Sequence, residues 1–190
     1  ARRILNLPED KHLILFGALR ATQDKRKGFH LLCSALKQLS NTEWQDKIEV
    51  VVFGSSAPAE PIDIGFKTHY LGHLQDDVTL VMAYSAASVM IVPSLQEAFG
   101  QTASEAMACG TPVVSFDQTG VSDVVDHQLN GYLARPFEVN DLVHGIAWVL
   151  EDCERYGRLC RQSRTKVEQE FSFSQQADRY LRLYTSLLNK

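Results

Sequence analysis

The chain has 190 residues, 45% of them hydrophobic and 22% charged, with a formal net charge of −4. That balance suits one globular domain with a core large enough to be stable alone, and the lack of a basic surplus argues against a nucleic-acid binder without forbidding a local phosphate pocket. No run approaches the roughly 20 apolar residues of a membrane span, and no signal-peptide pattern opens the chain.

Short apolar runs alternate with helical patterns. Residues 12–16 read as a strand ending at Gly17, and residues 28–40 place Leu31, Leu32, Ala35, Leu36 and Leu39 at helical spacing. Residues 48–53 are a largely β-branched run closed by Gly54 and the loop 55–61. A short third strand follows at 69–71, and Asp76 or Asp77 is placed to cap a helix through about Ser85. Residues 89–92 form a fourth strand stopped by Pro93, and a helix over 101–109 ends at Gly110. Strands at 112–116 and 131–133 come next, then helices near 138–151, 154–170 and 174–188.

Strands without polar alternation imply a sheet buried on both faces, hence parallel and flanked by helices. The expected fold is a single doubly wound, mostly parallel α/β domain (Rossmann-like) over residues 1–190. Such sheets bind ligands beyond the carboxyl ends of their strands. Of the long loops, 18–27, 54–68 and 117–130, the first two follow strand ends. Cys33, Cys109, Cys153 and Cys160 have no metal-ligand spacing. Cys33 and Cys109 fall on apolar helix faces, so a reducing cytoplasm is the simplest compartment. The first residue is Ala1 rather than Met, which a missing upstream segment and removal of a tag explain equally.

The segment 93–114, PSLQEAFGQTASEAMACGTPVV, carries the chemistry. Residues 94–99 form a loop at a strand's carboxyl end, and Gly100 permits close backbone approach as a helix begins. Free N–H groups and the dipole at that start suit a pyrophosphate. Glu97 and Glu105 flank it, and ionised carboxylates are strong acceptors for the hydroxyls of a sugar and a ribose. A solvated helix residue and a favourable charge before a helix account for the same two glutamates, so spacing alone decides nothing.

The context decides more. Pro93-Ser94, Glu97, Phe99-Gly100, Glu105-Ala106-Met107-Ala108, Gly110 and Pro112-Val113 resemble family 4 of the GT-B glycosyltransferases (group 1 glycosyl transferases), and the likeness continues through Gly120 and Asn130-Gly131. The resemblance implies the C-terminal, donor-binding half of a GT-B fold. Glu97 would contact the transferred sugar, bordered by Ala98, Phe99 and Gly100, and would share a catalytic role with Lys27. Lys27, Arg26, Arg20 and the N–H groups of Gln101 and Thr102 would hold the diphosphate. Glu105 would bind the ribose, and Gly54, His73 and Leu74 are candidates for the base. No metal or other cofactor is expected, the substrate being a UDP- or GDP-linked sugar.

The implied activity is retaining transfer of that sugar to a carbohydrate or lipid-linked acceptor hydroxyl, as in polysaccharide synthesis. A non-catalytic nucleotide-sugar-binding module and a nucleotide-sugar epimerase are the alternatives. The expected partner is an N-terminal GT-B domain outside this chain, without which the fragment would transfer little sugar. The setting is cytoplasmic, with room for a peripheral position at the inner membrane face. Ala18 stands where the family usually has Arg, so either Arg20 or Arg26 replaces it or the diphosphate has one cationic partner fewer. Asp123 and Thr119 also depart from the pattern. The last helix, 174–188, resembles a terminal crossover helix that packs back toward the other domain, which would leave its Tyr180, Leu183, Tyr184 and Leu187 stripe partly uncovered in isolation; ordinary core packing is the favoured expectation.

Overall fold

The computed structural model describes residues 1–18, 22–60, 62–118 and 120–188. Among these, six strands form one sheet: β1 (His12–Gly17), β2 (Ile48–Phe53), β3 (Thr68–Gly72), β4 (Val89–Val92), β5 (Val113–Phe116) and β6 (Gly131–Ala134). Their order is β3-β2-β1-β4-β5-β6, parallel throughout. The helices are α1 (Phe29–Leu39), α2 (Asp77–Ala86), α3 (Gln101–Ala108), α4 (Val121–Val124), α5 (Val139–Leu150), α6 (Cys153–Glu170) and α7 (Phe173–Leu188).

The apolar runs are explained by two cores on one sheet. In β1, Ile14 and Phe16 pack with Leu32 and Leu36 of α1 and Leu142 and Ile146 of α5. Their neighbours Leu13 and Leu15 pack on the other face with Tyr84 of α2 and Ala103 and Met107 of α3. Each fully buried Leu or Ile contributes roughly 1.5–3 kcal/mol of transfer free energy. Both faces therefore demand apolar residues, which removes the alternation a half-exposed strand would show.

The chain fills the sheet outward from β1 to β3, then crosses back to lay β4 on β1's other side. The loops after β1 and β4 consequently part from one another, opening a crevice at the carboxyl ends. Within two expected loops the chain is more ordered than the sequence suggests. A 3-10 turn occupies Lys25–Lys27, with Asp24 capping it through the Arg26 N–H, and α4 lies inside the stretch 117–130. Both are too short for hydrophobic periodicity to register.

The terminal helix overturns an expectation. No residue of α7 is buried, and Tyr180, Leu183, Tyr184 and Leu187 are all exposed. After Phe171 the chain does not fold back on the sheet. Tyr180 and Leu183 instead line one wall of a broad groove of about 970 Å³, opposite Phe99 and α3. No helix among the described residues is long and apolar enough to cross a membrane.

Candidate donor cleft

The loop after β4 is held by its neighbours. Gly28, at φ 70°, lies so close to Pro93 that an added Cβ would come 1.8 Å from the Pro93 carbonyl oxygen. That contact sets the Lys25–Lys27 turn against residues 93–97, and the Leu95 N–H donates to the Arg26 carbonyl at 2.7 Å. From the other side the Gln118 side-chain amide donates to the Leu95 carbonyl at 2.6 Å. The Gly120 N–H donates to the Glu97 carbonyl at 3.0 Å. A Cβ on Gly120 would meet the Ala98 carbonyl oxygen at 2.1 Å, so glycine is needed there for close approach rather than for its dihedral freedom.

This clamp brings Lys27 and Glu97, 70 residues apart, into an ion pair of 2.7 Å between Nζ and Oε2. Both side chains are largely shielded, at 26% and 16% exposure, so their attraction is less screened than that of a surface pair. Ser94 Oγ also reaches the same carboxylate oxygen, at 3.4 Å. Gly100 then starts α3 in the left-handed region, at φ 92°, and no side chain caps the helix. The first-turn N–H groups of Gln101 and Thr102 have no intrahelical acceptor, as at every helix start. One turn further, Glu105 accepts from the Tyr84 hydroxyl at 2.7 Å and from the Gln101 side-chain amide at 2.9 Å.

A cleft of about 380 Å³ gathers Lys27, Glu97, Gln101, Thr102 and Glu105 with Gly54, His73 and Leu74. It lies beyond the carboxyl ends of β1, β2 and β4, at the point where the strand order reverses. Gly54 closes one end: its N–H donates to the Gly72 carbonyl at 2.7 Å, and its Cα sits against the Ala18 carbonyl. His73 is exposed, whereas Leu74 is partly buried in the core below.

Other sequence candidates fall elsewhere. Ala98, Phe99 and Gly100 line the adjoining groove toward α7, where Phe99 meets Phe171 edge-on at 5.3 Å. Arg26 is outside the cleft, its guanidinium bound to Asp24 at 2.8 Å. It faces a neighbouring depression shared with Lys27, Gln96, Glu97 and Ala98. Arg20, the other candidate for the arginine missing at Ala18, lies outside the described residues, as does Thr119. Asp123 is in the first turn of α4. Ala18, which stands where the resemblance leads to an Arg, lines the cleft. Among the described residues no three His, Cys, Asp or Glu side chains come together as metal ligands would.

Tyr84, Phe53 and Leu80 also line the cleft and were not legible in the sequence. Burial, and then the Glu105 carboxylate, push the Tyr84 phenol well above its usual range, so it stays a donor at any ordinary pH. The only sequence signal for it was a lone tyrosine in an apolar helix, where a buried hydroxyl needs a partner. Cys33 and Cys109 are half-buried; burial pushes the Cys33 thiol up to about 11, as expected of inert packing groups.

Known proteins share this fold. The chain is 30% identical to a lipopolysaccharide 1,2-N-acetylglucosaminetransferase of Salmonella typhimurium, over 94% of this chain and 49% of that protein. A solved sucrose-phosphate synthase of Thermosynechococcus elongatus superposes with a TM-score of 0.82 and 30% identity, over 99% of this chain and 48% of that one. The Anabaena protein HepE, solved in complex with UDP and glucose, shares the fold at a TM-score of 0.79 and 21% identity, over 97% of this chain and 51% of that one. The chain spans about half the length of the curated relatives it matches. The family described as glycosyl transferases group 1 matches over residues 1–166, and the chain belongs to it.

Proposed function

We propose that the chain is the donor-binding half of a retaining glycosyltransferase that moves a sugar from a UDP- or GDP-linked donor to an acceptor hydroxyl. The observation that carries this reading is the convergence of Lys27, Glu97, the uncapped start of α3 and Glu105 on one cleft. Glu105 accepts from the ribose hydroxyls and Glu97 from hydroxyls of the transferred sugar, which Ala98, Phe99 and Gly100 border. The base lies toward Gly54, His73 and Leu74.

As the bond from the anomeric carbon to the phosphate oxygen lengthens, negative charge grows on the departing diphosphate. Lys27 Nζ and the N–H groups of Gln101 and Thr102 are placed to receive it, and preorganised donors of this kind need little rearrangement. Lys27 is paired with Glu97; on binding donor it exchanges that partner for phosphate while Glu97 turns to the sugar. The acceptor hydroxyl attacks the oxocarbenium-like centre on the face the diphosphate leaves, forming the new glycosidic bond while its proton passes to the departing phosphate oxygen. Lys27 and the helix start supply the positive charge, so no metal enters the proposal. An N-terminal GT-B domain would complete the cleft and present a carbohydrate or lipid-linked acceptor, in a cytoplasmic setting or at the inner membrane face. The UDP and glucose bound by HepE support a uridine donor as the first to try.

Ala18 in the cleft and the engagement of Arg26 by Asp24 favour one second reading, a nucleotide-sugar-binding module without turnover. Calorimetric titration with UDP, GDP and their glucose and mannose conjugates tests the first step. One series should saturate, with Glu105→Ala weakening it by about tenfold or more. Absence of binding by every diphosphate would sink the donor-site assignment. Binding without transfer, even in the presence of the N-terminal domain, would select the second reading.

A further inference from the structure

We infer that Tyr84 is a positioning residue that orients Glu105 so that the cleft selects ribonucleoside over 2′-deoxyribonucleoside diphosphates, an inference that rests on the assignment of Glu105 to the ribose. Tyr84 lies in the last turns of α2 with 2% exposure. Its ring is fixed edge-on against Phe53, with centroids 5.6 Å apart. Its carbonyl accepts from the Thr111 hydroxyl at 2.8 Å. Thr111 follows the far end of α3, so the backbone of Tyr84 is tied to the helix that carries Glu105. The phenol therefore reaches Glu105 Oε2 from an anchored base.

A glutamate on a helix surface normally samples several rotamers. Here each oxygen is engaged once, Oε2 by the Tyr84 hydroxyl and Oε1 by the Gln101 amide. Gln101 is exposed and Tyr84 is buried, so the tyrosine is the rigid member of the pair. A carboxylate oxygen has two lone pairs. Each oxygen keeps one free, so the carboxylate can still accept from two vicinal hydroxyls. A 2′-deoxyribose offers only one of these donors and leaves the other acceptor unpaired in the cleft.

Binding of UDP, 2′-deoxy-UDP, GDP and 2′-deoxy-GDP to the chain is to be measured for wild type, Tyr84→Phe, Glu105→Ala and the double variant. Wild type should prefer the ribo form by about tenfold or more, the loss of one hydrogen bond to a charged group. Tyr84→Phe keeps the ring against Phe53 and should weaken the ribo forms several-fold and the 2′-deoxy forms, which bring one hydroxyl to Glu105 instead of two, by less, so that the preference falls. The double variant should match Glu105→Ala alone, because the hydroxyl acts only through the carboxylate. Equal weakening of both forms by Tyr84→Phe, or an unchanged ratio, would overturn the inference and leave the ribose assignment standing. An unchanged ratio in Glu105→Ala would overturn the ribose assignment, and the inference with it.

Discussion

Two kinds of helix start coexist in this molecule. α2 and α6 begin at aspartates whose side chains close the helix, Asp76 accepting from the Thr79 N–H and Asp152 from the Arg155 N–H, both at 2.8 Å. α1 and α3 begin at Gly28 and Gly100, both in the left-handed region and both without a side-chain cap. α4 and α5 also lack a side-chain cap, but the two left-handed glycine starts sit at the carboxyl ends of β1 and β4, either side of the point where strand order reverses. A side-chain cap satisfies the helix from within, whereas a glycine start leaves donors for a ligand and lets the backbone approach closely. Stability and binding should thus separate between the two sets.

The largest effect is expected where the cleft's geometry depends on a glycine. Gly28→Ala places a Cβ against the Pro93 carbonyl at a positive φ, and should cost about 2–4 kcal/mol in denaturant unfolding together with diphosphate binding. Wild-type stability in that variant would show that Gly28 is not the spacer between the Lys25–Lys27 turn and the β4 loop. Next comes Lys27→Met, which should weaken UDP or GDP binding by about ten- to a hundredfold in calorimetry with little change in melting temperature. A large stability loss with unchanged affinity would make the Lys27–Glu97 pair purely structural.

The smallest effect belongs to the capped starts. Asp76→Ala and Asp152→Ala should each lower the melting temperature by a few degrees and leave nucleotide affinity alone. Bonds from the Thr79 and Arg155 N–H groups hold these carboxyls below the usual range. A depressed carboxylate contributes stability above its unfolded value near 4 and loses it as pH falls toward the folded one. The variants should therefore converge with wild type in acid. A gap in melting temperature that persists below both values would show that the charge on the cap is not what stabilises α2 and α6.

Much of the fold was legible because its signals are local. Apolar runs at 48–53 and 89–92, the glycine and proline stops after them, and Asp76 before α2 each report conformation within a few residues. Glu97, Gly100 and Glu105 also lie close together, on one loop and the first turns of one helix, so their placement at a strand's carboxyl end was local too, while their expected roles came from the resemblance. Where the signal spanned less than a turn or two, as in α4 and the Lys25–Lys27 turn, periodicity had nothing to count.

What the sequence by itself determined is a parallel α/β sheet, two-sided burial and a helix start suited to an anion. Only the tertiary structure decided which partners meet there. The Lys27–Glu97 pair, the Gln118 and Gly120 hold on the β4 loop, and the Tyr84 bond to Glu105 all join elements brought together by the order β3-β2-β1-β4-β5-β6. The openness of the α7 stripe is of the same kind. An amphipathic pattern states that a face is apolar, and the path of the chain around it decides whether anything covers that face.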